Sequence, residues 1–206
     1  SAEGATTAGQ QAGQPAAAGV TAADRAAGVR TLEVPPSGTG RTVVVPGATP
    51  APGPGPVTTV RVEVEEGVDV DPAAFAGFVM TTLNDPRGWG ADGSVTFART
   101  DGPADVRLVL ASPDTSQRLC APLRTLGTLS CRNGDSVVLT NHRWTLAVPD
   151  YGEDRTAYRQ YVVSHEVGHA LGHGHVPCPG PGRIAPTMMQ QTKGLQGCLP
   201  NPWPNP

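Results

Sequence analysis

The sequence predicts an α+β domain: a twisted mixed β-sheet carrying two main helices, followed by an irregular C-terminal subdomain. Three observations predict it. Short segments of alternating apolar and polar residues recur between residues 57 and 139. Two stretches of helical period accompany them, and the second ends in a histidine-rich run. Beyond that run eight prolines lie between His175 and the C-terminus, where little regular structure is expected.

The elements follow in order. Residues 1–28 are Ala, Gly, Thr and Gln with almost no large apolar side chain. They bury too little to offset the entropy of ordering, so they read first as a flexible tether, with an isolated alanine-rich helix as the second option. Residues 29–56 form a second unit. Val29, Leu32 and Val34, then Val43, Val44 and Val45, flank the turn-rich Pro35-Pro36-Ser37-Gly38-Thr39-Gly40. That pattern predicts an extended β-arm or a hairpin, and Pro46 to Pro56 reads as a Pro/Gly linker.

The domain proper is expected over residues 57–206. Val57 to Glu65 alternates through Val60, Val62 and Val64 and predicts a strand. Asp71 is placed to cap a helix with Pro72 in its first turn, turning Phe75, Phe78, Val79 and Leu83 to a core. Asn84-Asp85-Pro86-Arg87-Gly88 ends it. Strands are expected at Val95–Arg99 and Val106–Ala111, then a hairpin from Leu129–Arg132 to Val137–Leu139 across Asn133-Gly134-Asp135. The second helix is expected to start near Asp154 and run through Tyr158, Tyr161, Val162, His165 and His169 to Leu171. Arg155 and Arg159 read as its solvated face, and Asp150 and Asp154 as caps. Trp144, Tyr151 and Trp203 suit burial or a cleft wall.

The run His165-Glu166-Val167-Gly168-His169-Ala170-Leu171-Gly172-His173-Gly174-His175 carries the chemistry. His165 and His169 lie at i and i+4, so one helix face can present both imidazoles to one metal ion. Gly172 can take a left-handed conformation, end the helix and let His175 return to the same ion. Three neutral imidazoles on Zn²⁺, with a fourth position open, is a catalytic arrangement; structural zinc is closed by four protein ligands. Glu166 stands beside the metal as a base toward water. His173 reads as a loop histidine, a group supporting a ligand, or a substitute third ligand; the G-x-x-H offset favours His175.

These residues resemble the metzincin zinc peptidases, whose second signature is a methionine turn beneath the metal. Ala185-Pro186-Thr187-Met188-Met189-Gln190-Gln191 is similar to that turn. The resemblance implies Met188 as the floor residue, with Met189 the alternative. Gln-Gln follows the methionines here, so no tyrosine is supplied from the turn. The resemblance also implies a metzincin or zincin-like fold.

The stretch from Tyr158-Arg159-Gln160-Tyr161-Val162-Val163-Ser164 to Trp203 is similar to a narrower family of secreted actinobacterial domains of unknown function. The matching parts are His175-Val176-Pro177-Cys178-Pro179-Gly180-Pro181-Gly182, Gln190-Gln191-Thr192-Lys193-Gly194-Leu195 and Asn201-Pro202-Trp203-Pro204. The likeness extends back to about Arg41.

The four cysteines are Cys120, Cys131, Cys178 and Cys198, with no C-x-x-C pair. An even count at moderate spacing suits two disulfides in an oxidising compartment, and chain order favours Cys120–Cys131 and Cys178–Cys198. The chain starts at Ser1, as after removal of a signal peptide or N-terminal anchor, so a secreted or cell-envelope location is expected. Net charge is −3 with no basic stripe, which argues against a nucleic-acid partner.

A monomeric, secreted zinc endopeptidase acting on a peptide or protein is therefore expected, with His165, His169 and His175 as ligands and Glu166 as base. A zinc amide hydrolase acting on cell-wall peptides has the same chemistry. A non-catalytic, zinc-stabilised binding module is the third reading. Residues 1–28 contain no cysteine to block the metal.

Overall fold

A computed structural model describes residues 19–206. Its centre is a mixed sheet of six strands: β1 (Thr42–Val44), β2 (Val57–Glu65), β3 (Thr96–Arg99), β4 (Val106–Ala111), β5 (Cys131–Asn133) and β6 (Ser136–Thr140). The spatial order is β1-β2-β4-β6-β5, with β3 also paired to β2. β3, β2, β4 and β6 run parallel, while β1 and β5 are antiparallel to their neighbours. The expected α+β class with a mixed sheet is what forms.

Side chains alternate across this sheet because successive residues of a strand point to opposite faces. Val60, Val62, Leu108, Leu110, Val137 and Leu139 enter the larger core. Val109, Ala111 and Val138 enter a smaller one on the other face, with Cys120 and Cys131. The larger core is shared with α2 (Pro72–Leu83), α4 (Asn141–Leu146) and α5 (Arg155–Ala170). α3 (Pro113–Cys120) packs against β4, β5 and β6 and contributes Cys120 to the smaller core.

α2 begins as read. Asp71 accepts a hydrogen bond from the Ala74 N–H at 3.0 Å, and Pro72 sits in the first turn. Phe75, Val79 and Leu83 are buried, and Phe75 meets Trp144 edge-on at 4.9 Å. Trp144, Tyr151 and Trp203 are all buried, at 0%, 6% and 6% exposure. Trp144 and Tyr151 belong to the main core, so burial is their role.

Four expectations need correction. Residues 19–28, assigned to the flexible tether, contain α1 (Ala22–Ala26), closed by a reciprocal Thr21–Asp24 capping box. The rest of that tether reading, residues 1–18, lies outside the described residues. Second, Pro46–Pro56 is fastened rather than free: Thr49 bridges Arg99, and the Gly53 N–H donates to Thr96 Oγ1. Third, α3 and α4 were not foreseen, although Ser112-Pro113 is a helix-start signal and Ser112 does cap α3.

The fourth correction concerns Arg155 and Arg159. They do not form a solvated face. Arg159 is fully buried, donates to the Trp144 carbonyl at 2.6 Å and pairs with Asp24 at 2.8 Å. Arg155 Nε donates to the same carboxylate at 2.9 Å. Asp24 is itself buried, so α1 is riveted to α5 through one charge cluster. The physical reason is desolvation: a buried guanidinium needs a counterion, and α1 brings one from far along the chain.

The irregular C-terminal segment runs from Gly172 to Pro206, with one short 3-10 turn at Gln191–Lys193. Both expected disulfides are present, Cys120–Cys131 and Cys178–Cys198. No helix among the described residues is long and apolar enough to cross a membrane.

Candidate metal centre

α5 presents the first two histidines. Asp154 caps it, accepting from the Ala157 N–H at 2.8 Å. The helix stops at Leu171 in a Schellman motif: the His173 N–H donates to the Gly168 carbonyl at 2.9 Å and the Gly172 N–H to the His169 carbonyl at 3.0 Å. Gly172 has φ +96°, the left-handed value the motif requires. The chain then doubles back and brings His175 to His169, with their Nε2 atoms 3.0 Å apart. One ring nitrogen from each of His165, His169 and His175 lies within 4.8 Å of the others.

The remaining nitrogens are anchored by backbone. His165 Nδ1 lies 2.8 Å from the Thr187 carbonyl and His169 Nδ1 2.8 Å from the His173 carbonyl. A carbonyl can only accept, so both Nδ1 atoms carry the proton and both Nε2 lone pairs face inward. This donor set fits Zn²⁺, which bonds imidazole nitrogen at about 2.0–2.1 Å in a roughly tetrahedral shell. Burial pushes the His165 imidazole down to about 4 and outweighs the Thr187 carbonyl, which acts the other way, so the ring is neutral at physiological pH. A neutral ring is the form that binds metal.

Glu166 adjoins these rings in the same cleft, a cavity of about 570 Å³. It is buried, and burial raises its carboxyl to about 8. No hydrogen bond or ion pair from the described residues holds it. A cation nearby acts in the opposite sense and favours the carboxylate.

His173 is not one of the converging rings. Its carbonyl orients His169, and its ring stacks on Trp89 with centroids 4.2 Å apart. Trp89, which the sequence reading passed over, also donates from its indole to the Ser164 carbonyl at 2.8 Å. It braces α5 from outside. The available signal was an aromatic residue in the glycine-rich segment Gly88-Trp89-Gly90.

The methionine turn lies against the helix. Thr187 supplies the carbonyl for His165, and the Met188 carbonyl accepts from the Val176 N–H at 3.2 Å, next to His175. Met188 is buried, while Met189 belongs to a separate cluster with Ala185 and Cys198. A Cβ at Gly168 would stand 2.5 Å from Met188 Sδ and 2.7 Å from the Trp89 ring. Glycine in mid-helix costs about 1 kcal/mol relative to Ala; here it admits the close approach of both side chains. Gly168→Ala is therefore expected to lower stability despite the better helix former, because overpacking costs about 1–3 kcal/mol. Thermal denaturation of the metal-free protein checks this, with a lowered midpoint as the expected result.

Gln191 explains the Gln-Gln after the methionines. It is fully buried and uses both ends of its amide. Nε2 donates to the Pro186 and Asn201 carbonyls at 3.1 and 2.7 Å, and Oε1 accepts from Tyr151 and from the Asn201 N–H at 2.8 and 3.1 Å. Tyr161 is similarly engaged, donating to the Met189 carbonyl and accepting from the Gln191 N–H, each at 2.9 Å. These groups set the position of the turn.

One wall of the cleft is the sheet edge, through Cys131 and Arg132 of β5, continued by Leu129 and Ser130 just before it. The disulfide from Cys131 to Cys120 ties that edge to α3.

The chain belongs to the family described as "Protein of unknown function (DUF3152)", which matches residues 29–203. No curated protein and no solved structure matches it.

Proposed function

We propose that this member of the family is a secreted zinc endopeptidase of the metzincin-like kind. The observation that carries the reading is the convergence of His165, His169 and His175 beside the unpaired carboxyl of Glu166, inside an open cleft. His165, His169 and His175 would hold the zinc. When bound, Zn²⁺ supplies Lewis acidity, polarising a carbonyl and acidifying water in the site.

The chain's own groups do the rest. β5, antiparallel at the end of the sheet, offers backbone donors and acceptors to an extended peptide lying in the cleft. Glu166 takes a proton from the attacking water and returns it to the leaving amine. Burial raises that carboxyl, which makes it a stronger base than an exposed glutamate. The Thr187 and His173 carbonyls fix the tautomers of two histidines, and the methionine turn packs beneath the helix between them. The two disulfides fit folding in an oxidising, extracytoplasmic compartment.

The test is direct. Purified protein is expected to hold one zinc per chain by elemental analysis, to lose it to a chelator, and to cleave a proteome-derived peptide library only when loaded. A chain that takes up no zinc, or a library left intact by the loaded protein, would count against the proposal.

A further inference from the structure

The cationic side chains of this molecule are spent in a revealing pattern. The sequence has 15 Lys and Arg against 18 Asp and Glu, a net charge of −3. Most of the cations are engaged. Arg30, Arg41, Arg61, Arg87, Arg107, Arg155 and Arg159 form ion pairs. Arg25, Arg99, Arg118 and Arg143 donate to backbone carbonyls. Among the described residues, this leaves Arg124, Arg132, Arg183 and Lys193 with neither kind of partner.

Three of those four, Arg124, Arg132 and Lys193, line the cleft that holds the histidines. Lys193 is the only lysine in the sequence. The sole acidic residue lining the same cleft is Glu166, at the metal site. The cations come from separate parts of the chain: Arg124 from the connection after α3, Arg132 from β5, and Lys193 from the 3-10 turn after the methionines. An anionic protein thus carries a local excess of positive charge along the cleft it leaves open.

A concave, low-dielectric wall focuses such a field more than a convex surface does. Guanidinium groups also offer paired donors matched to a carboxylate, and a lysine adds a mobile point charge. The geometry points to an acidic peptide as the substrate class of this cleft, with Asp or Glu side chains near the histidines held by Arg124, Arg132 and Lys193. This deepens the hydrolase reading and relies on it for the fate of the peptide, though not for its binding.

The experiment measures binding and cleavage separately. Fluorescent peptides capped at both ends carry Asp and Glu, the matching Asn and Gln, or Lys at the same positions. Their affinity for zinc-loaded and zinc-free Glu166→Gln protein is read by anisotropy at about 50 and about 300 mM NaCl. The acidic peptide is expected to bind about tenfold more tightly than its amide counterpart at low salt, and to lose most of that margin at high salt. The variant R124E/R132E/K193E, altered only at exposed side chains, is expected to keep its thermal midpoint and to prefer the Lys peptide.

Equal affinity for all three capped peptides would overturn the inference. So would a preference for the acidic peptide that survives the charge reversal. Cleavage by wild type is scored on the same set. Turnover without acidic preference sinks this inference and leaves the hydrolase reading standing. Selective binding of the acidic peptide with no cleavage by the zinc-loaded wild type does the reverse.

Discussion

Glu166→Gln is expected to lower peptide hydrolysis by about 10²–10⁴-fold, the range associated with losing a positioned general base. The amide has nearly the same shape but cannot accept the proton from water. Zinc content is expected to stay at one per chain, because Glu166 is not among the three converging donors. The fold is expected to survive as well. Burial already disfavours the charged form of this side chain, and none of the described residues pairs with it, so a neutral replacement removes a cost rather than a contact. Turnover of a peptide cleaved by wild type, elemental analysis and a thermal melt together make the measurement. Unchanged turnover would remove Glu166 from the chemistry. If wild type and variant bind one partner equally and neither cleaves it, the domain is a zinc-stabilised binding module.

A second large effect is expected far from the metal. Asp24→Asn should destabilise the protein by about 3–5 kcal/mol, the typical loss when one partner of a buried ion pair is removed. Asp24 is 1% exposed and Arg159 0%. The variant leaves that guanidinium buried without its counterion, and Arg159 Nη1 already has no partner. Chemical denaturation measures the loss; a change within about 0.5 kcal/mol, typical of surface positions, would show that the cluster is not dry. Adding Arg159→Met to Asp24→Asn should recover much of it, since an apolar side chain needs no counterion.

The pH dependence of this cluster has a definite sign. Burial pushes the Asp24 carboxyl up, but Arg155 first, then Thr21 and Arg159, outweigh it and hold it well below the usual carboxylate range. A depressed folded value means the stabilisation is complete above the unfolded value near 3.8 and drains away as pH falls below it. The gap between wild type and Asp24→Asn is therefore expected to be flat from about pH 5 to 8 and to close only in acid.

What the sequence made legible was chiefly local. The i, i+4 spacing of His165 and His169, the glycine that must end a helix, and the strand alternation of β2, β4 and β6 depend on neighbours within a few residues. So does the Asp71-Pro72 start of α2. Disulfide partners could be ordered because each closes a short loop, 11 and 20 residues in separation. The failures were long-range. Arg155 and Arg159 sit at i, i+4 among polar residues, which looks like a wet face; their partner Asp24 is 131 residues from Arg155. Gln191 and Trp89 were opaque for the same reason, since each acts by reaching carbonyls that only the folded chain brings near. α4 is six residues long and carries too little periodicity to be distinguished from its surroundings.

The rivet between α1 and α5 bears on what counts as the functional unit. The family match begins at Val29, five residues after Asp24, yet Asp24 reaches the same helix that presents two of the histidines. The counterion of buried Arg159 thus comes from an element that lies outside the shared stretch. Proteolytic trimming between the two would leave every proposed zinc donor in place while stranding a cation in dry surroundings, so an intact centre need not mean an intact scaffold.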